Sequence, residues 1–131
     1  MIDCENEVYT RIATVLRGSY SGIDITGDYV NIPSGFPHVS IVQIDNRTVK
    51  DKTTDTSEMA RVVFQMDIYA NETSGKKSTA KAIAKTIDDV MFGMNFRRTG
   101  LDPNPNRDDL TIFRLTARYE GETDGTNFYR S

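Results

Sequence analysis

Residues 59–93 read MARVVFQMDIYANETSGKKSTAKAIAKTIDDVMFG, and the period of their apolar residues changes partway along. In the first third Val62, Phe64, Met66, Ile68 and Ala70 recur every second position, with Gln65, Asp67 and Tyr69 between them. A period of two puts one set on each face of a strand, so the spacing predicts a strand over about 59–70. From Gly75 the period becomes three and four: Ala80, Ile83, Ala84, Ile87, Val90 and Met91 form one stripe of a helix over about 75–93. Asn71–Ser74 make the turn between them. Lys77, Lys81 and Lys85 follow each other at i,i+4 on a separate, polar face, and Asp88 is reachable from Lys81 and Lys85.

On the N-terminal side, Pro37 opens a strand over about 38–45 carrying Val39, Ile41, Val42 and Ile44. Its alternation slips by one between Ile41 and Val42, which calls for a bulge or for burial on both faces. Residues 46–57, NRTVKDKTTDTS, are polar and read as a long exposed hairpin loop to the strand at 59. Tyr29, Val30 and Ile32 suggest a short edge strand in the Gly- and Pro-punctuated stretch before Pro37. The chain begins with a helix over about 4–17, in which Val8, Ile12, Val15 and Leu16 share a stripe, Asp3 is a cap candidate and Gly18 follows the end.

On the C-terminal side, 95–101 reads as a short strand and Asp102–Arg107 as a loop, because Pro103 and Pro105 remove ladder donors. A last strand over about 110–120 alternates Phe113, Leu115, Ala117 and Tyr119 against Ile112, Arg114, Thr116 and Arg118. A polar, flexible tail follows from about Gly121, with Phe128-Tyr129 as a stray aromatic pair or a docking tail. The order helix, hairpin, helix, hairpin predicts a single α+β domain over 1–131. Its economical packing is a four-stranded, mainly antiparallel sheet with both helices on one face.

The 131 residues suffice for one domain. Composition is that of a folded chain, 37% hydrophobic and 27% charged. Sixteen Lys and Arg against 19 Asp and Glu leave a net charge of -3, the wrong sign for a protein whose main task is binding duplex DNA or anionic membrane. That balance is uneven. Residues 1–75 carry 11 acids and 6 bases, 76–98 carry 6 bases and 2 acids, and 99–131 carry 6 acids and 4 bases. A basic helix on an acidic body suits contacts between copies, in which opposite patches meet. No apolar run is long enough to span a bilayer, and the sequence after Met1 has no signal-peptide character.

The equipment for chemistry is sparse. One Cys, Cys4, excludes an intrachain disulfide and a multi-thiolate zinc site; a helix N-terminus can activate a thiol, but a packed or incidental residue is the favoured reading. One His, His38, excludes most histidine-based metal sites and is no triad by itself. The run Ser74-Gly75-Lys76-Lys77-Ser78 has Ala70 where a P-loop has its first Gly, and Lys77 where Ser or Thr follows the Lys. Asp102-Pro103-Asn104-Pro105-Asn106 copies the first spacing of a calcium loop, but has Arg107 at the Gly position and Phe113 at the Glu position. Adjacent acids at Asp88-Asp89 and Asp108-Asp109 point apart and do not make an acid/base pair. The sequons at Asn46 and Asn71 are chance matches without a secretory signal. No cofactor or metal is implied.

The arrangement as a whole resembles the tail completion, or tail terminator, proteins of long-tailed bacteriophages. The resemblance is carried by the N-terminal helix ending Val15-Leu16, by Phe36-Pro37-His38-Val39-Ser40-Ile41 entering the first long strand, and by Arg61 through Tyr69. It continues through the helix from Gly75-Lys76-Lys77-Ser78-Thr79-Ala80 to Ile87, and through Arg107-Asp108-Asp109-Leu110-Thr111 with Phe113 through Tyr119. It implies a non-enzymatic virion protein of the tail and neck, assembled in the host cytoplasm. Such a protein forms a ring, typically a hexamer, that caps the tail tube, ends its polymerisation and helps join tail to head. The implied partners are further copies of itself, the major tail tube protein, a head–neck connector, and genomic DNA passing through the lumen; no membrane is implied. The residues expected at the assembly interface are Lys50, Lys52, Lys77, Lys81, Lys85, Arg107 and Asp108. The alternatives are a head-side connector or stopper of the same neck, and a small enzyme or regulatory binding domain with an unrecognised pocket.

Overall fold

A computed structural model describes residues 2–28, 33, 35–49, 59–71, 76–105, 111–124 and 127–129. Its elements are α1 (Glu5–Ser19), β1 (Asp24–Thr26), β2 (His38–Val49), β3 (Met59–Ala70), α2 (Lys76–Gly93), β4 (Arg97–Pro105), β5 (Phe113–Thr123) and β6 (Phe128–Tyr129). They form one six-stranded sheet in the order β1-β2-β3-β5-β4, with β6 paired to the end of β5.

The four-stranded, mainly antiparallel sheet expected from the sequence is therefore overturned: there are six strands, and one pairing is parallel. The sheet is mixed: β1 runs parallel to β2, pairing Asp24 with His38 and Thr26 with Ser40. β6 adds Phe128 and Tyr129 antiparallel to Thr123 and Glu122. Strands of three and two residues are too short to develop an alternation, so periodicity has nothing to detect in them. The expected edge strand at 29–32 lies outside the described residues, and Asp24–Thr26 takes the edge beside β2.

The central pairings are long. β3 lies antiparallel to β2 on one side and to β5 on the other, from Ala60↔Thr123 to Ala70↔Phe113. β2 continues through Asn46, Arg47 and Thr48, past the expected end at 45, because polar residues on the partly exposed end of a strand still pair their backbone. The remainder of the expected loop, from 50 to 57, lies outside the described residues. A register shift between Gln43 and Asp45 makes Ile44 a bulge residue.

β4 runs through Pro103 and Pro105, which the sequence reading assigned to a loop. Its place at the sheet's end explains the tolerance: a proline lacks only an N–H, and an outermost strand has one side on which none is needed. Gly121–Thr123 continue β5 in register with β3.

Val8, Ile12 and Leu16 of α1 and Ile83, Ile87 and Met91 of α2 are buried against one face of the sheet, built from Val39, Ile41, Val62, Phe64, Met66, Ile68, Leu115, Ala117 and Tyr119. The α1 start uses the Asp3 carboxylate, which accepts from the Glu5 N–H at 3.1 Å. At its end the Tyr20 hydroxyl meets Thr86 Oγ1 of α2 at 3.1 Å, tying the two helices together. After α2 the chain reverses through Asn95 at φ 67°, a left-handed conformation that Asn tolerates. That reversal drives Phe96 into the core, edge-on to Phe64 at 5.8 Å. Phe96 lies so close over Gly121 that a Cβ there would stand 2.8 Å from its ring, which is why β5 has a residue without a side chain at that point. Phe128 of β6 covers the other side of Phe96 at 5.4 Å, and Asn95 Nδ2 donates to its carbonyl at 2.8 Å.

Candidate assembly interface

The outer flank of α2 and the adjoining ends of β4 and β5 enclose a groove of about 570 Å³. Its existence follows from the helix stripe. Ile83, Ile87 and Met91 point into the core, so the rows beside them overhang the sheet edge. Lys77, Lys81 and Lys85 form one wall at i,i+4, and all three are exposed. The floor is apolar: Ala84 from the helix, Leu101 and Pro103 from β4, Phe113 and Leu115 from β5. Leu101 is 37% exposed, an aliphatic side chain left open on the floor.

One end of the groove is closed by polar contacts. Asp88 accepts from the Tyr119 hydroxyl at 3.1 Å and faces Arg98 at 3.5 Å. Burial, and after it the nearby Asp88 carboxylate, holds the Tyr119 phenol protonated well above the ordinary tyrosine range. Asp88 is thus engaged by Tyr119 and Arg98 rather than by Lys81 or Lys85, and among the described residues no ion pair neutralises the three lysines. Net positive charge over an apolar floor suits an acidic partner with an apolar side chain to insert.

Of the residues expected at the interface, Lys77, Lys81 and Lys85 come together on this groove. Lys50, Lys52, Arg107 and Asp108 lie outside the described residues.

The opposite sheet face, which bears no helix, is polar but closely paired. Asp67, 1% exposed, accepts from Arg114 Nε at 3.2 Å, Thr116 Oγ1 at 2.6 Å and Gln65 Nε2 at 3.0 Å. Asn104 Nδ2 donates to the same Thr116 hydroxyl at 2.7 Å, so the network spans β3, β5 and β4. The Arg114 guanidinium also lies 5.7 Å from the Tyr69 ring centre. Sequence reasoning placed Asp67, with Gln65 and Tyr69, on the strand face opposite the apolar set and did not reach its burial. Further along the same face Arg61 pairs with Glu120 at 3.2 Å and Glu122 at 2.9 Å.

At the parallel edge, His38 Nδ1 lies 3.0 Å from Asp24 Oδ2 and its Nε2 lies 3.1 Å from Thr26 Oγ1. The trio has the outline of an acid–base–nucleophile relay, but Thr26 Oγ1 also donates to the Asp28 carbonyl at 3.0 Å. Register explains the trio better: Asp24 is paired with His38, and Thr26 stands two residues on. The buried imidazole clips β1 to β2. Cys4 is buried at the α1 start, and burial, then the Asp3 carboxylate, pushes its thiol up to about 11, away from a reactive thiolate. Among the described residues no cluster of three or more His, Cys, Asp or Glu could hold a metal ion, and no helix is long and apolar enough to cross a membrane.

No protein-family model matches the chain, and no curated protein matches it significantly. Solved structures do. A chain of the virion of a native gene transfer agent particle superposes with a TM-score of 0.60 at 19% sequence identity, over 86% of this chain and 88% of that chain. At that identity the likeness is one of fold, and it extends over nearly the full length of both chains.

Proposed function

We propose that this chain is a structural component of a phage-like particle: a subunit of a ring that caps the tail tube, ends its polymerisation and helps join the tail to the head. The observation that carries the reading is the near full-length fold likeness to a chain of a gene transfer agent virion. Two further features support it. The groove offers three exposed lysines, unpaired among the described residues, over an apolar floor, the chemistry of a protein contact. The chain is acidic elsewhere, so copies of it are complementary to one another.

In this reading the subunit meets further copies around the ring, the tail tube protein on one side and a neck connector on the other, while DNA passes through the lumen. The test is tube growth in vitro. Tail tube protein polymerising alone gives tubes of open-ended length. Adding this protein to growing tubes is expected to arrest elongation and leave density at one end of each tube by electron microscopy. Tubes that keep growing uncapped, with the protein binding purified head connectors instead, would transfer it to the head side of the neck.

A further inference from the structure

We propose that the lysine-rimmed groove is the socket for a second copy of this chain, and that the β2 bulge, with Ile44 at its tip, is the part that enters it. The inference rests on the ring reading above and names the contact that would build the ring.

The bulge supplies the inserted part. β2 and β3 pair Gln43 with Phe64 and Asp45 with Val63, so Ile44 has no partner on β3. A bulge re-aims the side chain it frees, and here that side chain is aliphatic and 47% exposed. An acid adjoins it: Asp45 pairs with Arg47 at 2.9 Å, an exposed contact two residues apart. Such an exposed pair contributes little, so Asp45 can exchange Arg47 for a lysine with little loss. An aliphatic tip beside an acid matches a groove whose floor is aliphatic and aromatic and whose wall is three lysines.

Placement decides the kind of contact. In the order β1-β2-β3-β5-β4, the bulge lies towards one end of the sheet and the groove at the other. Bulge and groove of one copy cannot meet each other, so their pairing is head-to-tail, the kind that closes into a ring or runs on as a filament. Strand addition at the groove is disfavoured, because Pro103 and Pro105 on the outermost strand give no N–H to a neighbouring strand. That leaves side-chain insertion as the means of contact.

The test uses two single-cysteine proteins in a Cys4→Ala background, one carrying Ile44→Cys and the other Leu101→Cys, each checked for folding by circular dichroism. Under mild oxidation the mixture is expected to form a disulfide-linked dimer, and neither protein alone. The double variant should give a ladder of linked oligomers. Lys81→Glu in the Leu101→Cys protein should cut the yield at least tenfold, and Asp45→Lys in the Ile44→Cys protein should restore it. Light scattering on the unmodified protein separates the two failures. A defined oligomer with no cross-link in the mixture overturns this contact, assigns the groove to another protein and leaves the ring standing. A monomer at every concentration with no cross-link overturns the second copy as occupant and counts against the self-assembling ring as well.

Discussion

Three donors converge on the Asp67 carboxylate, from Arg114, Thr116 and Gln65, in a setting almost closed to water. Removing the acid takes from the Arg114 guanidinium, whose side chain is only 16% exposed, the carboxylate it pairs with. Breaking a buried pair from one side costs about 3–5 kcal/mol, so Asp67→Ala should lose stability on that scale in urea unfolding. Asp67→Asn keeps part of the hydrogen bonding and should lose clearly less. Cys4 gives a residue-scale test in pH. Its folded pKa of about 11 lies above the ordinary 9.0, so the protonated thiol favours the fold. That contribution is complete below pH 9 and is lost as pH rises from 9 to 11. At pH 8 the thiolate fraction in the folded chain is about a hundredfold lower than in the unfolded chain. Alkylation of the native protein at pH 8 should therefore be at least that much slower than in denaturant, and equal rates would show an open thiol. Packing was the favoured sequence reading of Cys4, whereas the burial of Asp67 was not legible. Asp67 and Tyr69 alternate with the core positions as solvent-facing residues do, and only cross-strand partners 47 and 49 positions away bury the acid.

Among the elements, α2 separates the two tasks of a helix cleanly. Its buried stripe of Ala80, Ile83, Ile87 and Met91 holds the fold, and its exposed lysines do not. Ile87→Ala should cost about 2–5 kcal/mol in urea unfolding. Lys81→Glu should stay within about 0.5 kcal/mol of the parent. A Lys81→Glu protein that unfolds as easily as Ile87→Ala would make the lysine wall part of the fold rather than a surface for a partner. The helix and β3 were plain in the sequence because each runs long enough to display its period, and the stripe from Ala80 to Met91 is the one the structure buries. β1 and β6 were not, since three and two residues carry no period and are fixed by what they pair with: His38 clips the first, and Phe96 and Asn95 seat the second. β4 was cut short at Pro103 by a rule that holds for inner strands, and nothing local in its sequence marks it as the outermost.

For the whole molecule, the sheet order sets what the chain can build. Its core is shared by both helices and one sheet face, while the other face is filled by its own ion pairs, such as Arg61 with Glu120 and Glu122. Among the described residues, two flanks suit the proposed contact: the lysine groove beside β4 and the bulge on β2. A domain whose complementary flanks lie at opposite ends of one sheet associates head-to-tail, and the geometry of each step decides whether the assembly closes. The lysines were legible as a basic face, but the groove was not, because Leu101, Pro103 and Phe113 reach it from strands whose pairing the sequence leaves open. The closing measurement is the mass and symmetry of the assembled protein, by light scattering and electron microscopy, alone and on the ends of tail tubes. If the chain caps the tube, a closed ring of about six chains forms, centred on the tube end, and disperses when Lys77, Lys81 and Lys85 are all replaced by Glu while the monomer stays folded. A monomer that neither assembles nor binds tube ends, or a ring indifferent to those three lysines, would contradict it.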